Sequence, residues 1–212
     1  MIDAMLASVA DGDVVTGRDL KQILPVEAAI LPDEVLVRHE ALLLMPDGWV
    51  VGEYGDGSRI FYGHSGRELS VEPFYEADPL VKHIHVIHRL DAERLAICTG
   101  DAGKHLDIWR IGEGGFRFER RLLEKFAGFT AATLVSGDHY FGSDFTGRPN
   151  YLLRLSDGKK FPFPDRNFTH YAVKFQAFEE RYVLGVTKQL DVLGGQRGWF
   201  VFDTLNEQYV TA

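Results

Sequence analysis

The feature that most constrains this chain is a recurrence. From Glu40 onward, short alternating runs of apolar and polar residues are separated by Gly- and Asp-containing turns, and the runs group in fours. The first group covers Ala41–Met45, Trp49–Glu53, Arg59–His64 and Leu69–Phe74. The second covers Lys82–His88, Arg94–Thr99, Leu106–Ile111 and Phe116–Arg120. The third covers Ala131–Val135, His139–Ser143, Tyr151–Leu155 and Lys160–Phe163, and the fourth Ala172–Ala177, Tyr182–Val186, Trp199–Asp203 and Gln208–Thr211. Period-two alternation bounded by turn residues reads as strands joined by tight hairpins. The second strands begin near Trp49, Arg94, His139 and Arg181, about 45, 45 and 42 residues apart. Four-stranded antiparallel units repeating every ~40–50 residues are the pattern of a β-propeller. A two-sheet sandwich would not bring turns and acids back at the same phase.

The expectation is therefore an all-β chain, a β-propeller of four-stranded antiparallel blades with about five blades or a partial ring. It is read as one domain over 1–212, with blades near 40–75, 81–121, 130–164 and 171–212. Residues 1–39 form a poorly defined first or partial blade. There Ala4–Val9 and Val14–Thr16 read as short strands around Asp11-Gly12-Asp13, and Met1–Ala10 reads equally as a short helix.

Composition narrows the setting. A formal charge of −8 opposes general nucleic-acid binding, which needs a basic surface. One cysteine, Cys98, leaves no internal disulfide framework and fits a reducing compartment. No apolar run approaches ~18 residues, and no basic start leads into an apolar leader. The expectation is a soluble, cytoplasmic protein with no membrane partner.

Candidate chemistry concentrates in VKHIHVIHRLDAERLAICTGD at 81–101. Strict alternation would put Val81, His83, His85 and Ile87 on one strand face, with Asp101 at the tip of the next strand. The acid recurs: Gly52-Glu53, Gly100-Asp101 and Ser143-Asp144 each end a second strand, so Glu53, Asp101 and Asp144 hold equivalent positions. In a propeller these would gather at one end of the central axis. Two readings are open. The acids cap turns by accepting backbone N–H bonds, or they serve as acid, base or oxygen ligand. Likewise His83 and His85 are a hydrogen-bonded structural pair, or they join Asp101 around a divalent metal, which needs several converging donors. Tyr54 reads as packing between blades or, beside Glu53, as a sugar-stacking platform, with Asn150 near the same rim. His64, His105, His139 and His170, at strand ends and turns, read as solvated, and Trp49, Trp109 and Trp199 as packing. Residues 117–121 (RFERR) read as a charged, exposed edge strand.

The runs GEYG (52–55), RIFYGHSGRELSVEPF (59–74), KHIHVIH (82–88), TGD (99–101) and FGSDFTGRPNYLLRL (141–155) resemble the sialidase-like, BNR-repeat propeller proteins over about residues 40–155. The resemblance implies a propeller with glycosyl-hydrolase-like architecture. The chain departs from that group in two ways. Ser65-Gly66-Arg67-Glu68-Leu69-Ser70 lacks the Asp and Trp of the usual repeat turn. The arginine triad and Tyr/Glu nucleophile pair of a sialidase cannot be assigned, since adjacent Glu53 and Tyr54 would point to opposite strand faces. Sialidase activity itself is not expected.

Two functions follow. The first is a carbohydrate-binding or carbohydrate-active propeller taking a carbohydrate or other small polar ligand. Its catalytic acids would be Glu53, Asp101 and Asp144, its ligand contacts His83, His85, Tyr54 and Asn150, and its divalent metal, if used, would sit on His83, His85 and Asp101. The alternative is a non-enzymatic interaction scaffold in which the acids only shape turns.

Overall fold

A computed structural model describes residues 14–22, 24, 31–55, 57–64, 70–112, 115–123, 128–145, 148–164, 169–190 and 193–210. They are all-β: four four-stranded antiparallel sheets and one two-stranded sheet. Two compact units result, one spanning Gly12–Gly128 and the other built on Phe129–Ala212.

The first unit begins with β1 (Val14–Thr16), paired antiparallel with β2 (Leu36–Arg38). Between them lies a single helical turn, α1 (Gly17–Leu20). Thr16 accepts from the Asp19 amide, and the Asp19 carboxylate accepts from the Thr16 amide, a reciprocal cap that closes the turn. The strand expected at Val14–Thr16 is present. The Ala4–Val9 strand and the Met1–Ala10 helix lie outside the described residues.

Two meanders follow. The first is β3 (Leu42–Met45), β4 (Gly48–Gly52), β5 (Ile60–His64) and β6 (Ser70–Glu72). The second is β7 (Val81–Arg89), β8 (Arg94–Asp101), β9 (Leu106–Gly112) and β10 (Gly115–Leu123). Each strand pairs with its sequence neighbour, so hairpin geometry alone sets the order. Trp49, Val50 and Val51 on β4 are all buried, because an inner strand is covered on both faces. They join Ile84, Ile97 and Trp109 in one apolar cluster.

Behind the second meander, Trp109 stacks on Phe116 at 4.6 Å and meets Phe74 and Phe118 edge-on. Such pairs add about 0.5–1.5 kcal/mol each beyond area burial. Asp107, fully buried on β9, anchors the polar side of this packing. It accepts from the Tyr75 hydroxyl at 2.8 Å and from Arg121 Nε and Nη2 at 2.8 and 2.9 Å. Trp109 Nε1–H donates to the Tyr75 oxygen at 3.0 Å. Burial and the Asp107 charge push the Tyr75 phenol well above its ordinary pKa, so it stays a donor. The 117–121 segment does lie on the outer strand of its sheet, but Arg121 turns inward to serve Asp107.

The second unit repeats the plan. Its meanders are β11 (Phe129–Val135), β12 (Asp138–Ser143), β13 (Tyr151–Arg154), β14 (Lys160–Pro162), and β15 (His170–Phe178), β16 (Tyr182–Gln189), β17 (Arg197–Asp203), β18 (Gln208–Tyr209). The Ser136-Gly137 turn between β11 and β12 has φ of 52° and 78°. Positive φ at both central residues is what a two-residue hairpin needs, and glycine adopts it without a steric penalty. The first strands of the two sheets adjoin, with Thr130 Oγ1 donating to the Ala172 carbonyl at 2.5 Å. Phe200 sits among Phe163, Phe175 and Tyr209.

All sixteen strands expected from residue 41 onward are present, their ends shifted by a few residues. Among the described residues, no helix is long and apolar enough to cross a membrane.

Candidate functional site

The imidazole pair is set by an irregularity in β7. Val81 faces Asp101, Ile84 faces Thr99 and Val86 faces Cys98, so β7 carries one extra residue in each interval. These bulges break the alternation expected for 81–87. Val81, Ile84 and Ile87 enter the apolar cluster, while His83 and His85 stand together over Gly100. Re-aiming side chains is what a bulge does, since it inserts a residue without a cross-strand partner. His88 lies across from Ala96, on the side of β8 that also carries Gly100 and Cys98.

Gly100 is required by this packing. A Cβ there would lie 2.2 Å from His85 Nε2 and 2.5 Å from His83 Cδ2. The two Nε2 atoms are 2.8 Å apart, so one ring donates its N–H to the lone pair of the other. Both rings are buried, at 8% and 4% exposure. Burial pushes the His85 imidazole well below its ordinary pKa, helped by the positive fields of Arg38, His83 and Lys104. Asp101, exposed and at φ 62°, brings its Oδ1 to 3.7 Å from His83 Nε2. The Tyr54 ring packs on His83 with centroids 4.3 Å apart.

A divalent metal fits this arrangement poorly. Two nitrogens bound to one tetrahedral ion at ~2.0–2.1 Å would stand about 3.3 Å apart. Here they are 2.8 Å apart and joined by a proton, so the donor ring offers no lone pair at Nε2. Among the described residues, no three His, Cys, Asp or Glu side chains converge as a metal-holding group.

Glu53 follows a different geometry. Gly52 pairs with Ile60, so residues 53 and 59 face each other across the β4–β5 connection. Arg59 donates to both Glu53 oxygens, Nε to Oε2 at 2.8 Å and Nη2 to Oε1 at 2.7 Å, and its backbone N–H adds a contact at 3.2 Å. Glu53 thus closes its own loop. That loop forms one wall of a pocket of about 420 Å³, lined by Glu34, Leu36, Glu53, Tyr54, Arg59 and Glu76 with Gly55 and Gly57. Tyr54 links the two features, lining the pocket and packing on His83.

Asp144 and Asn150 belong to the second unit. Asn150 is fully buried, accepting from Ser143 Oγ at 2.8 Å and the Phe145 amide at 2.7 Å, and donating to the Phe145 carbonyl at 3.1 Å. Its side chain ties together the loop that follows β12. Asp144, beside it, is half-buried.

The histidines at strand ends are less solvated than their positions suggest. His105 is buried, with Nε2 3.1 Å from Asp78 Oδ2. His170 is buried too, and that burial lowers its pKa against the opposing pull of the Gln196 carbonyl. His139 is half-buried, and the side chain of His64 lies outside the described set.

Sequence reasoning missed Arg59 and the pocket residues Glu34 and Glu76. The first was recoverable: hairpin pairing places an arginine directly across from Glu53. Glu34 and Glu76 were not, because they come from segments that only tertiary packing brings to that loop.

No known protein family matches this chain, and no curated protein matches it. Among solved structures, it is similar to the computationally designed Ika4 protein, at a TM-score of 0.48 and 16% identity over 76% of this chain and 88% of that one. Fold and site together define an all-β protein of repeated four-stranded meanders, with a polar pocket at the turn after its first inner strand.

Proposed function

We propose that this protein is a carbohydrate-binding β-propeller that holds its ligand in the pocket at Tyr54. The propeller reading is supported by four meanders of identical strand order and by the adjoining first strands β11 and β15. A monomer with a radius of gyration of about 17 Å is expected from a compact ring of this length. Concentration-dependent association in small-angle scattering would mean an open arc instead.

The observation that carries the ligand reading is the pocket itself. A cavity of about 420 Å³ walled by a tyrosine, carboxylates and a guanidinium suits a small polyhydroxylated molecule. The aromatic side chain covers the apolar face of a sugar ring, and the charged groups take its hydroxyls in strong hydrogen bonds. Binding is favoured over hydrolysis. A glycosidase needs carboxylates free to act across one bond, and Glu53, the acid of this pocket that the sequence singled out as catalytic, has both oxygens held by Arg59.

Tyr54→Ala is expected to weaken glycan binding by tenfold or more while leaving the circular-dichroism spectrum unchanged, because the side chain is only half-buried. Titration against a glycan panel measures this. Equal affinity in the variant would remove the pocket from the function. Failure of every glycan to bind would favour the scaffold reading, which draws its support from the Glu53–Arg59 and Ser143–Asn150 contacts closing their own loops.

A further inference from the structure

The sign of charge in the Tyr54 pocket restricts which sugars it suits, an inference that rests on the carbohydrate reading above. The walls carry three carboxylates, Glu34, Glu53 and Glu76, and one cation, Arg59. Arg59 is spent internally, since two of its nitrogens grip the two Glu53 oxygens at 2.7 and 2.8 Å. A ligand carboxylate or sulfate would meet a guanidinium whose charge is already balanced by a nearly buried glutamate, itself also bonded to the Arg59 backbone amide. The positive charge that an incoming anion would meet is therefore offset by Glu53 beside it.

Glu34 and Glu76 remain. Both line the cavity, both act on Arg59 through their charge, and neither forms an ion pair among the described residues. With the Glu53–Arg59 pair neutral as a unit, the pocket presents two uncompensated negative charges around an aromatic wall. A cleft with an excess of one sign of charge concentrates ligands of the opposite sign; the Tyr54 ring contributes packing and not cation attraction, since the Arg38 guanidinium already lies over it at 5.8 Å.

We infer that the pocket selects sugars bearing a protonated amine over neutral sugars, and excludes acidic ones. The ammonium would sit toward Glu34 and Glu76 while the sugar ring packs against Tyr54.

The test uses the full chain and three monosaccharides: glucosamine, N-acetylglucosamine and glucuronic acid, titrated below neutral pH where the free amine is charged. Acetylation removes the charge and leaves the ring in place. Glucosamine is expected to bind roughly tenfold more tightly than its acetylated form, with glucuronic acid weakest. The gap should shrink as added salt shortens the screening length. It should also close in the double variant Glu34→Gln, Glu76→Gln, which removes both charges while Tyr54 and the Glu53–Arg59 pair stay in place.

Equal binding of glucosamine and N-acetylglucosamine would overturn the charge inference and leave the carbohydrate reading standing. So would tightest binding of glucuronic acid, or an unchanged gap in the double variant. Failure of all three sugars and of the wider glycan panel would overturn both.

Discussion

Asp107→Ala is expected to lower the unfolding free energy by about 3–5 kcal/mol, the usual effect of removing one partner from a buried charged network. The carboxylate is fully buried and satisfies three donors from two side chains. Without it, the Arg121 guanidinium loses its partner at the edge of the core, and the Tyr75 hydroxyl keeps only the Trp109 indole as a neighbour. An unpaired buried donor forfeits its hydration with no replacement. Chemical denaturation of the wild type and variant measures the difference. Arg121→Met is the companion, since it removes the stranded charge from the same network. The double variant Asp107→Ala, Arg121→Met should recover part of the loss, because neither charge is then left alone. A loss under 1 kcal/mol for Asp107→Ala would mean that solvent reaches this carboxylate and that the network does not hold β9 to β10.

The second expected result is a pH dependence arising at His85. In the folded chain, burial first, and then the charges of Arg38, His83 and Lys104, hold its pKa well below the ordinary value. In the unfolded chain it titrates near 6.5. Above that pH both states leave His85 neutral and it contributes no slope. As pH falls below about 6.5, the unfolded state takes up a proton that the folded state refuses, so stability declines. The slope is at most about 1.4 kcal/mol per pH unit for one such group, or on the order of 2 kcal/mol between pH 6.5 and 5. It ends when pH reaches the folded pKa.

The groups facing His85 act in known directions. His83 shares its Nε2 proton at 2.8 Å and would repel it if both were charged. Asp101, 3.7 Å from His83, offsets this only partly because it is exposed. Tyr54 lies 6.2 Å away, ring to ring. In His85→Gln the baseline stability drops, since the imidazole hydrogen bond is remade imperfectly, but the slope between pH 6.5 and 5 should flatten. Identical slopes in the two proteins would show that His85 is protonated in the folded state or is not buried. His170, whose pKa burial also lowers, contributes the same sign in both and cancels in the comparison.

The strand framework was legible because its signals are local. Alternation along Phe129–Val135 or Arg94–Asp101, and turn residues such as Ser136-Gly137, act over two to ten residues, which is the range sequence patterns report. The recurrence of about 45 residues placed the four meanders in the right segments for the same reason. Val14–Thr16 was read as a strand, but the α1 turn and the partner strand β2 escaped that reading, since β2 lies about twenty residues away and carries only three residues of pattern.

The site was legible only as a set of neighbours in sequence. Counting by twos along β7 assigned His83 and His85 to the face of Val81 and Ile87. The two bulges are properties of the β7–β8 ladder and of the room left by Gly100, neither of which appears in β7 alone. Glu53 was singled out for recurring at the phase of Asp101, but its role depends on Arg59, six residues on and across the hairpin. His105 and His170 sit at strand ends, where local pattern predicts water. Neighbouring segments cover them instead, with Asp78 supplied from before β7.

By itself, then, the sequence determined an all-β chain, the position of its strands and the order in which they pair, because consecutive antiparallel strands need only short turns and period-two faces. Tertiary structure alone decided which polar side chains meet. Glu34, Glu53, Arg59 and Glu76 line one pocket, and Tyr54 joins it to the imidazole pair, because register, bulges and the covering of one segment by another are set by contacts distant in the chain, and no run of adjacent residues encodes them.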